Sequence, residues 1–263
     1  MAQLFEKTAE GWQEILPDAL DFYTGVQTSG LTWNGTHYAI ASTSRLYMFD
    51  RSGRRVPSAD VVVPSGAFSV QVRRIVQGLT WDKTNSLYWL LTESTPDASG
   101  NEANVRRSDL VSLSPTGTLG TKRNLSSGSG QRWGAVIWAS DLLNVVRTDG
   151  QVRRWTTAQP PVASGSTINL PSGPDNIAGG VFVNSKFLVA DSRDLMMYGF
   201  TDRWERSSAD DFDLTDVPGE EARRNTNPAG VSWDGRFVRV ADNNYFRRKV
   251  FTYGLDGTYL GAA

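Results

Sequence analysis

Cysteine is absent from the 263 residues of this chain. That excludes disulfides, thiolate-held metals and a cysteine nucleophile. Histidine occurs once, at position 37. A histidine-based metal site is therefore out, and any Ser-His-Asp triad would have to use His37. A charge excess is missing too, since 27 basic and 28 acidic residues leave a net charge of -1. General polyanion binders carry a marked basic surplus, so nucleic acid is not an expected partner. Lysine is scarce: 5 of the 27 bases, against 22 arginines. A biased genome produces such a skew, and so does a need for bidentate contacts at buried interfaces. No apolar run approaches the roughly 20 residues that span a bilayer. The N-terminal Met1-Ala2-Gln3-Leu4-Phe5-Glu6-Lys7 lacks the basic-then-apolar order of a signal peptide. The expectation is a soluble protein made in the cytoplasm, with no membrane insertion, reaching the outside only by packaging or lysis.

What the chain does contain is a repeat. Gly30-Leu31-Thr32-Trp33, Gly78-Leu79-Thr80-Trp81 and Gly230-Val231-Ser232-Trp233 are copies of one phrase, with worn versions at Gly134-Ala135-Val136-Ile137-Trp138 and Gly179-Gly180-Val181-Phe182. The fourth residues fall at 33, 81, 137, 182 and 233, at intervals of 48, 56, 45 and 51. A unit of about fifty residues is the period of propeller blades. After each phrase comes a turn such as Asn34-Gly35 or Asp234-Gly235, whose residue types suit a two-residue hairpin. Second strands follow at His37–Ala41, Leu87–Leu91, Lys186–Ala190 and Arg236–Ala241, then third strands and shorter fourth ones such as Asp60–Val63, Arg123–Leu125 and Asp211–Leu214.

Four strands in each of five units predict an all-β, single five-bladed β-propeller with antiparallel blades. The approximate blades are 27–75, 76–130, 131–175, 176–226, and 227–263 completed by 1–26, in one domain over 1–263. The last unit supplies only three strands, and Ala19–Tyr23 has the pattern of a fourth, so the N-terminal segment is expected to close the ring and remove an exposed edge. Two segments exceed the blades: a polar excursion over Thr92–Arg107 and a charged stretch over Thr201–Asn225 carrying Trp204. Trp33, Trp81 and Trp233 are expected to be buried between sheets.

Two of the phrases carry a family resemblance. Asn176-Ile177-Ala178-Gly179-Gly180-Val181-Phe182 with Leu188-Val189-Ala190-Asp191-Ser192, and Asn227-Pro228-Ala229-Gly230-Val231-Ser232-Trp233-Asp234-Gly235 with Val240-Ala241-Asp242-Asn243, resemble the NHL and gluconolactonase/senescence-marker class of propellers. In its lactonase branch the resemblance implies a divalent metal at the channel mouth, held by Glu, Asn and Asp from the starts of inner strands. The corresponding positions, three before each repeat glycine, are Gln27, Ile75, Gln131, Asn176 and Asn227. Asn176 and Asn227 match the Asn ligand, but no acid stands in any of the five, and hard cations need anionic oxygen ligands. Neither a metal nor any other cofactor is therefore expected. Asp191 and Asp242, at the ends of second strands, are read as acceptors for backbone N–H groups in the following turns. Blades one and three carry Ser42 and Val146 there.

The resulting expectation is a non-catalytic interaction or structural module, with protein partners in a larger assembly such as a phage virion or tail. The alternatives are a metal-dependent gluconolactonase-like hydrolase and a glycan-binding propeller. For the last, surface glycan would stack on Trp12, Trp155 and Trp204. Doubled bases such as Arg54-Arg55, Arg73-Arg74 and Arg153-Arg154 are read either as charges protecting strand edges or as an arginine-rich docking face.

Overall fold

The computed structural model describes residues 4–8, 11–15, 21–26, 28–69, 73–95, 107–125, 132–171, 174–215, 225–244 and 248–261, with side chains from Asp21 onward except those of Arg73 and Thr95. Strands β1 (Leu4–Thr8) and β2 (Gly11–Ile15) pair as a separate hairpin, and β3 (Phe22–Tyr23) follows. Blade one holds β4 (Gly30–Trp33), β5 (Tyr38–Ala41), β6 (Arg45–Phe49) and β7 (Val61–Val62). Blade two holds β8 (Arg73–Asp82), β9 (Leu87–Thr95), β10 (Arg107–Leu113) and β11 (Leu119–Asn124). Blade three holds β12 (Trp133–Ala139), β13 (Leu142–Arg147), β14 (Gln151–Thr156) and β15 (Ile168–Asn169). Blade four holds β16 (Ile177–Val183), β17 (Lys186–Asp191), β18 (Met196–Thr201) and β19 (Phe212–Asp213). Blade five holds β20 (Pro228–Trp233), β21 (Val238–Asp242) and β22 (Lys249–Tyr253), and its fourth strand is β3. The protein is an all-β five-bladed propeller of four-stranded antiparallel sheets.

Closure rests on a short strand with strong anchors. Phe22 pairs with Val250 and packs its ring 5.5 Å from those of Tyr38 and Phe49. Asp21 accepts the Thr252 N–H at 2.9 Å, the Tyr259 hydroxyl and the Lys249 ammonium at 2.6 Å, although burial still holds its carboxyl above the usual range. Behind this seam, Tyr38 of blade one donates to Asp234 of blade five, and the fully buried Arg239 donates to Tyr38 at 3.1 Å. Among the described residues the hydrophobic core forms five clusters, one at each blade–blade interface. Burying one large apolar side chain there contributes about 1.5–3 kcal/mol.

Burial on both faces is not confined to the first strands. The second strands β5 and β21 are buried throughout, whereas β11 is mostly exposed. The polar excursion is shorter than 92–107, because β9 continues to Thr95 and β10 starts at Arg107, and residues 96–106 lie outside the described set. In blade two the fourth strand begins at Leu119 rather than Arg123.

The inner strands converge on the axis, and this explains the repeat glycine. A Cβ on Gly230 would lie 2.6 Å from the Leu31 nitrogen, and one on Gly179 would lie 2.8 Å from the Gly230 Cα. Glycine is required where neighbouring backbones approach this closely. In blade three the equivalent residue is Ala135, not Gly134. Bulges separate Val76 from Gly78, Trp133 from Ala135, Ile177 from Gly179 and Pro228 from Gly230. The third phrase is therefore displaced by one residue, and its structural marker is Trp138 rather than Ile137. The blade-three counterpart of Asp191 is likewise Arg147 rather than Val146, since they pair with Trp133 and Ile177 at the same side of the bulge.

Candidate functional site

Gly30, Gly78, Ala135, Gly179 and Gly230 line the waist of the channel, where the free volume is only about 10 Å³. The waist divides the channel into two mouths with different chemistry.

The first mouth encloses about 290 Å³ at the starts of the inner strands. Its wall is made by pairs of residues repeated around the ring. The Thr148 N–H donates to the Arg132 carbonyl at 2.9 Å, Ser192 to Asn176 at 3.1 Å and Asn243 to Asn227 at 2.9 Å, and all six residues line the cavity. Asn176 and Asn227 are thus where the sequence places them, together with Ile75. Because of the bulge, the blade-three residue at this level is the exposed Arg132. Gln27 and Gln131 lie outside the described residues. The Asn176 amide is already engaged, donating to Ser192 Oγ at 2.8 Å.

This donor set does not fit a divalent metal. It offers amide and hydroxyl oxygens, an aliphatic side chain and a guanidinium, and no carboxylate lines the cavity among the described residues. A hard cation needs several oxygen ligands with anionic charge among them, and Arg132 opposes one. The acids at this level hold turns instead. Asp191 accepts the N–H groups of Asp175, Asn176, Arg193 and Asp194 at 2.7–2.9 Å. Asp242 accepts those of Thr226 and Asn244 at 3.0 and 2.6 Å. Both act as the turn chemistry of the sequence implies. Asp175, Asp191 and Asp194 do lie close together, but Asp175 pairs with Arg193 at 2.5 Å and Asp194 accepts the Tyr198 hydroxyl at 2.8 Å.

One acid near this mouth escapes a reading of the sequence. Glu93 pairs with Ile75 and stands in blade two where Thr148, Ser192 and Asn243 stand in theirs, but it is buried and does not line the cavity. Counting across the turn from Trp81 would have found it. A fixed residue count misses it, since Trp81 pairs with Tyr88 across a longer connection than the one from Trp33 to Tyr38 or from Trp233 to Val238.

The second mouth, at the far ends of the same strands, encloses about 400 Å³. Trp33, Trp81, Trp138, Phe182 and Trp233 stand at one register position in the five blades, opposite Tyr38, Tyr88, Leu143, Phe187 and Val238. All five line the cavity and are half-buried. The expected full burial of Trp33, Trp81 and Trp233 is corrected here: each packs against an interface core but ends at the channel rim, where no further blade layer covers it. Trp33 leans on Tyr38 at 4.7 Å and Trp81 on Tyr88 at 4.8 Å between ring centroids. Burial pushes the Tyr88 phenol up to about 12, against a 2.7 Å hydrogen bond from Asn34 Nδ2. His37 sits half-buried in the Asn34 turn, donating its backbone N–H to Asn34 at 2.7 Å, and so is remote from Asn176 and Asn227.

The other expected aromatic platforms lie elsewhere. Trp204 is 3% exposed, stacks on Phe187 at 3.9 Å and donates its indole N–H to Asn144 at 3.2 Å. Trp155 is 7% exposed under Arg123. Neither presents a free face for a sugar, because each fills a blade interface. The Trp12 side chain lies outside the described residues. The paired arginines have local partners: Arg54 bonds Asp50, Arg55 pairs with Asp60, and Arg153 lies over Trp133.

No protein-family model and no curated protein sequence matches the chain. Solved structures share the fold at low identity. Glutaminyl cyclase from Myxococcus xanthus aligns at a TM-score of 0.60 and 10% identity over 88% of this chain and 92% of that one. A protein of unknown function from Bacteroides caccae aligns at 0.52 and 9% identity, over 88% and 79%. The PQQ-bound aldose sugar dehydrogenase from Streptomyces coelicolor aligns at 0.50 and 13% identity, over 91% and 81%. These likenesses are of fold.

Proposed function

We propose that the chain is a non-catalytic propeller that works by binding, as an interaction module within a larger assembly. The observation that carries this reading is the state of its acids at the first mouth. Hydrolysis of a lactone or glycoside needs paired carboxylates, a histidine or a metal-activated water within reach of one bond. Asp191 and Asp242 use their oxygens on backbone N–H groups, Glu93 is a single buried acid, and His37 stands at the opposite mouth. An amide-rich wall with one guanidinium recognises polar groups without transforming them. The resemblance of blades four and five to the gluconolactonase class supports kinship of architecture, and the departures at Ile75 and Arg132 separate this chain from its metal chemistry.

The test is an assay of the purified chain with gluconolactone, alongside thermal melts with added Ca²⁺ or Zn²⁺. We expect hydrolysis at the buffer rate and a melting temperature indifferent to either ion. Turnover abolished by Glu93→Gln, Asn176→Ala or Asn227→Ala would overturn the reading in favour of a hydrolase. A phage virion or tail is the setting proposed for the assembly, and labelling of intact particles with an antibody to this chain tests it.

A further inference from the structure

The second mouth is unusual in how it treats large aromatics. Trp89, Trp133, Trp155 and Trp204 are buried in blade interfaces, yet the tryptophans that end the inner strands keep part of their rings at an open cavity. A volume of about 400 Å³ falls in the range of small-molecule sites, about 300–1,000 Å³. A second observation points to a ligand with polar groups. Ser232 lines the cavity, is 2% exposed, and its Oγ has no hydrogen-bond partner. The Trp138 indole N–H is likewise buried and unmet at the same wall. Buried polar atoms are normally paired, and each unmet one calls for an explanation.

Charge narrows the class. The Lys83 ammonium lies 5.4 Å from the Trp138 ring and the Arg51 guanidinium 5.0 Å from Trp33, so cations already occupy the rim. Asp234 is the one acid in the wall among the described residues, and its carboxylate serves Tyr38 and the N–H groups of Arg236 and Phe237. A cationic guest would meet repulsion without a counter-charge. A purely apolar guest would leave Ser232 Oγ and the Trp138 N–H unmet. A ring with an apolar face and hydroxyls at its edge satisfies both surfaces.

We propose that this mouth is a saccharide-binding cup. The C–H face of a sugar ring packs on the aromatic wall, while its hydroxyls reach the Lys83 ammonium and, once their side chains turn, Ser232 Oγ and the Trp138 indole. The proposal rests on the reading of the chain as a binding module and names its ligand class.

The experiment titrates the full chain with glucose, galactose, N-acetylglucosamine and glucuronic acid, followed by tryptophan fluorescence and calorimetry. At least one sugar should bind saturably, and Trp81→Ala and Ser232→Ala should each weaken it by about tenfold or more. If Trp81→Ala does not fold, Lys83→Ala replaces it, with glucuronic acid weakened most. Absence of binding by all four sugars overturns the proposal. So does binding that survives these substitutions, or a preference for tetramethylammonium as probe. Chemical turnover of a bound sugar would instead sink the non-catalytic reading and leave the cup standing.

Discussion

The two mouths are opposite ends of the same five strands, and they obey different rules. At the first mouth each blade contributes a different chemistry, with Ile75, Arg132, Asn176 and Asn227 at one level. At the second, the corresponding level is aromatic in all five blades. The strand ends at the aromatic mouth are gripped by tight turns. Asn34 caps the N–H groups of Thr36 and His37, Asp82 those of Thr84 and Asn85, and Asp234 those of Arg236 and Phe237. Blades three and four use two-residue turns with positive φ at Ser140-Asp141 and Asn184-Ser185. At the first mouth main-chain bonds pair the strand ends, reinforced in blades four and five by the Asp191 and Asp242 carboxylates, while the residues at the level of Ile75 and Arg132 differ from blade to blade. Repetition within the chain therefore marks where packing dictates the residue, and variation marks where it does not.

The sharpest way to break the comparison is to open the waist that separates the mouths. Gly230→Ala puts a methyl against the Leu31 backbone, which cannot rotate away. We expect a loss of about 1–3 kcal/mol from overpacking in urea denaturation, against about 1 kcal/mol or less for Ala135→Gly. Equal effects would mean that the inner strands tolerate separation and the waist is not a constraint.

A contrast of similar size compares the mouths directly. Trp81→Ala removes a half-buried indole from an interface core and should cost about 2–3 kcal/mol. Asn227→Ala at the first mouth should stay within about 0.5 kcal/mol, as for most surface changes. If the two losses match, the aromatic level has no special part in packing.

A third test is a pH dependence to which Tyr88, packed against Trp81 at the aromatic mouth, contributes. The folded chain holds the Tyr88 proton more tightly than the unfolded one, whose phenol titrates near 10. This stabilisation is complete below pH 10 and is lost as pH rises towards 12. Stability measured across that window should fall, and Tyr88→Phe should flatten the slope. An unchanged slope would place the effect on other buried phenols, such as Tyr38.

Much of this was legible from residue types. The Gly-x-x-Trp phrase and its two worn copies locate all five inner strands, and the absence of an acid at Ile75, Asn176 and Asn227 is plain from residue type. The misplacement by one residue in blade three has a physical cause. Gly134 mimics the repeat glycine, while the bulge puts Ala135 at the waist and Trp138 at the rim. Trp155 and Trp204 read as glycan platforms from sequence because the residues they pack against, Arg123 and Phe187, belong to other strands or blades.

The sequence by itself determined the period, the strand pattern and hence the blade count, because glycine and turn residues act locally on the backbone. It also determined which acids hold turns, since an Asp two or three residues before a free N–H acts within its own loop. Only the tertiary structure decided that the tryptophans of separate blades share one cavity, that Glu93 is buried beside the other mouth, and that a glycine waist divides the two. Those are facts about distances between residues about fifty positions apart, and a repeat states their equivalence without stating how closely the ring brings them together.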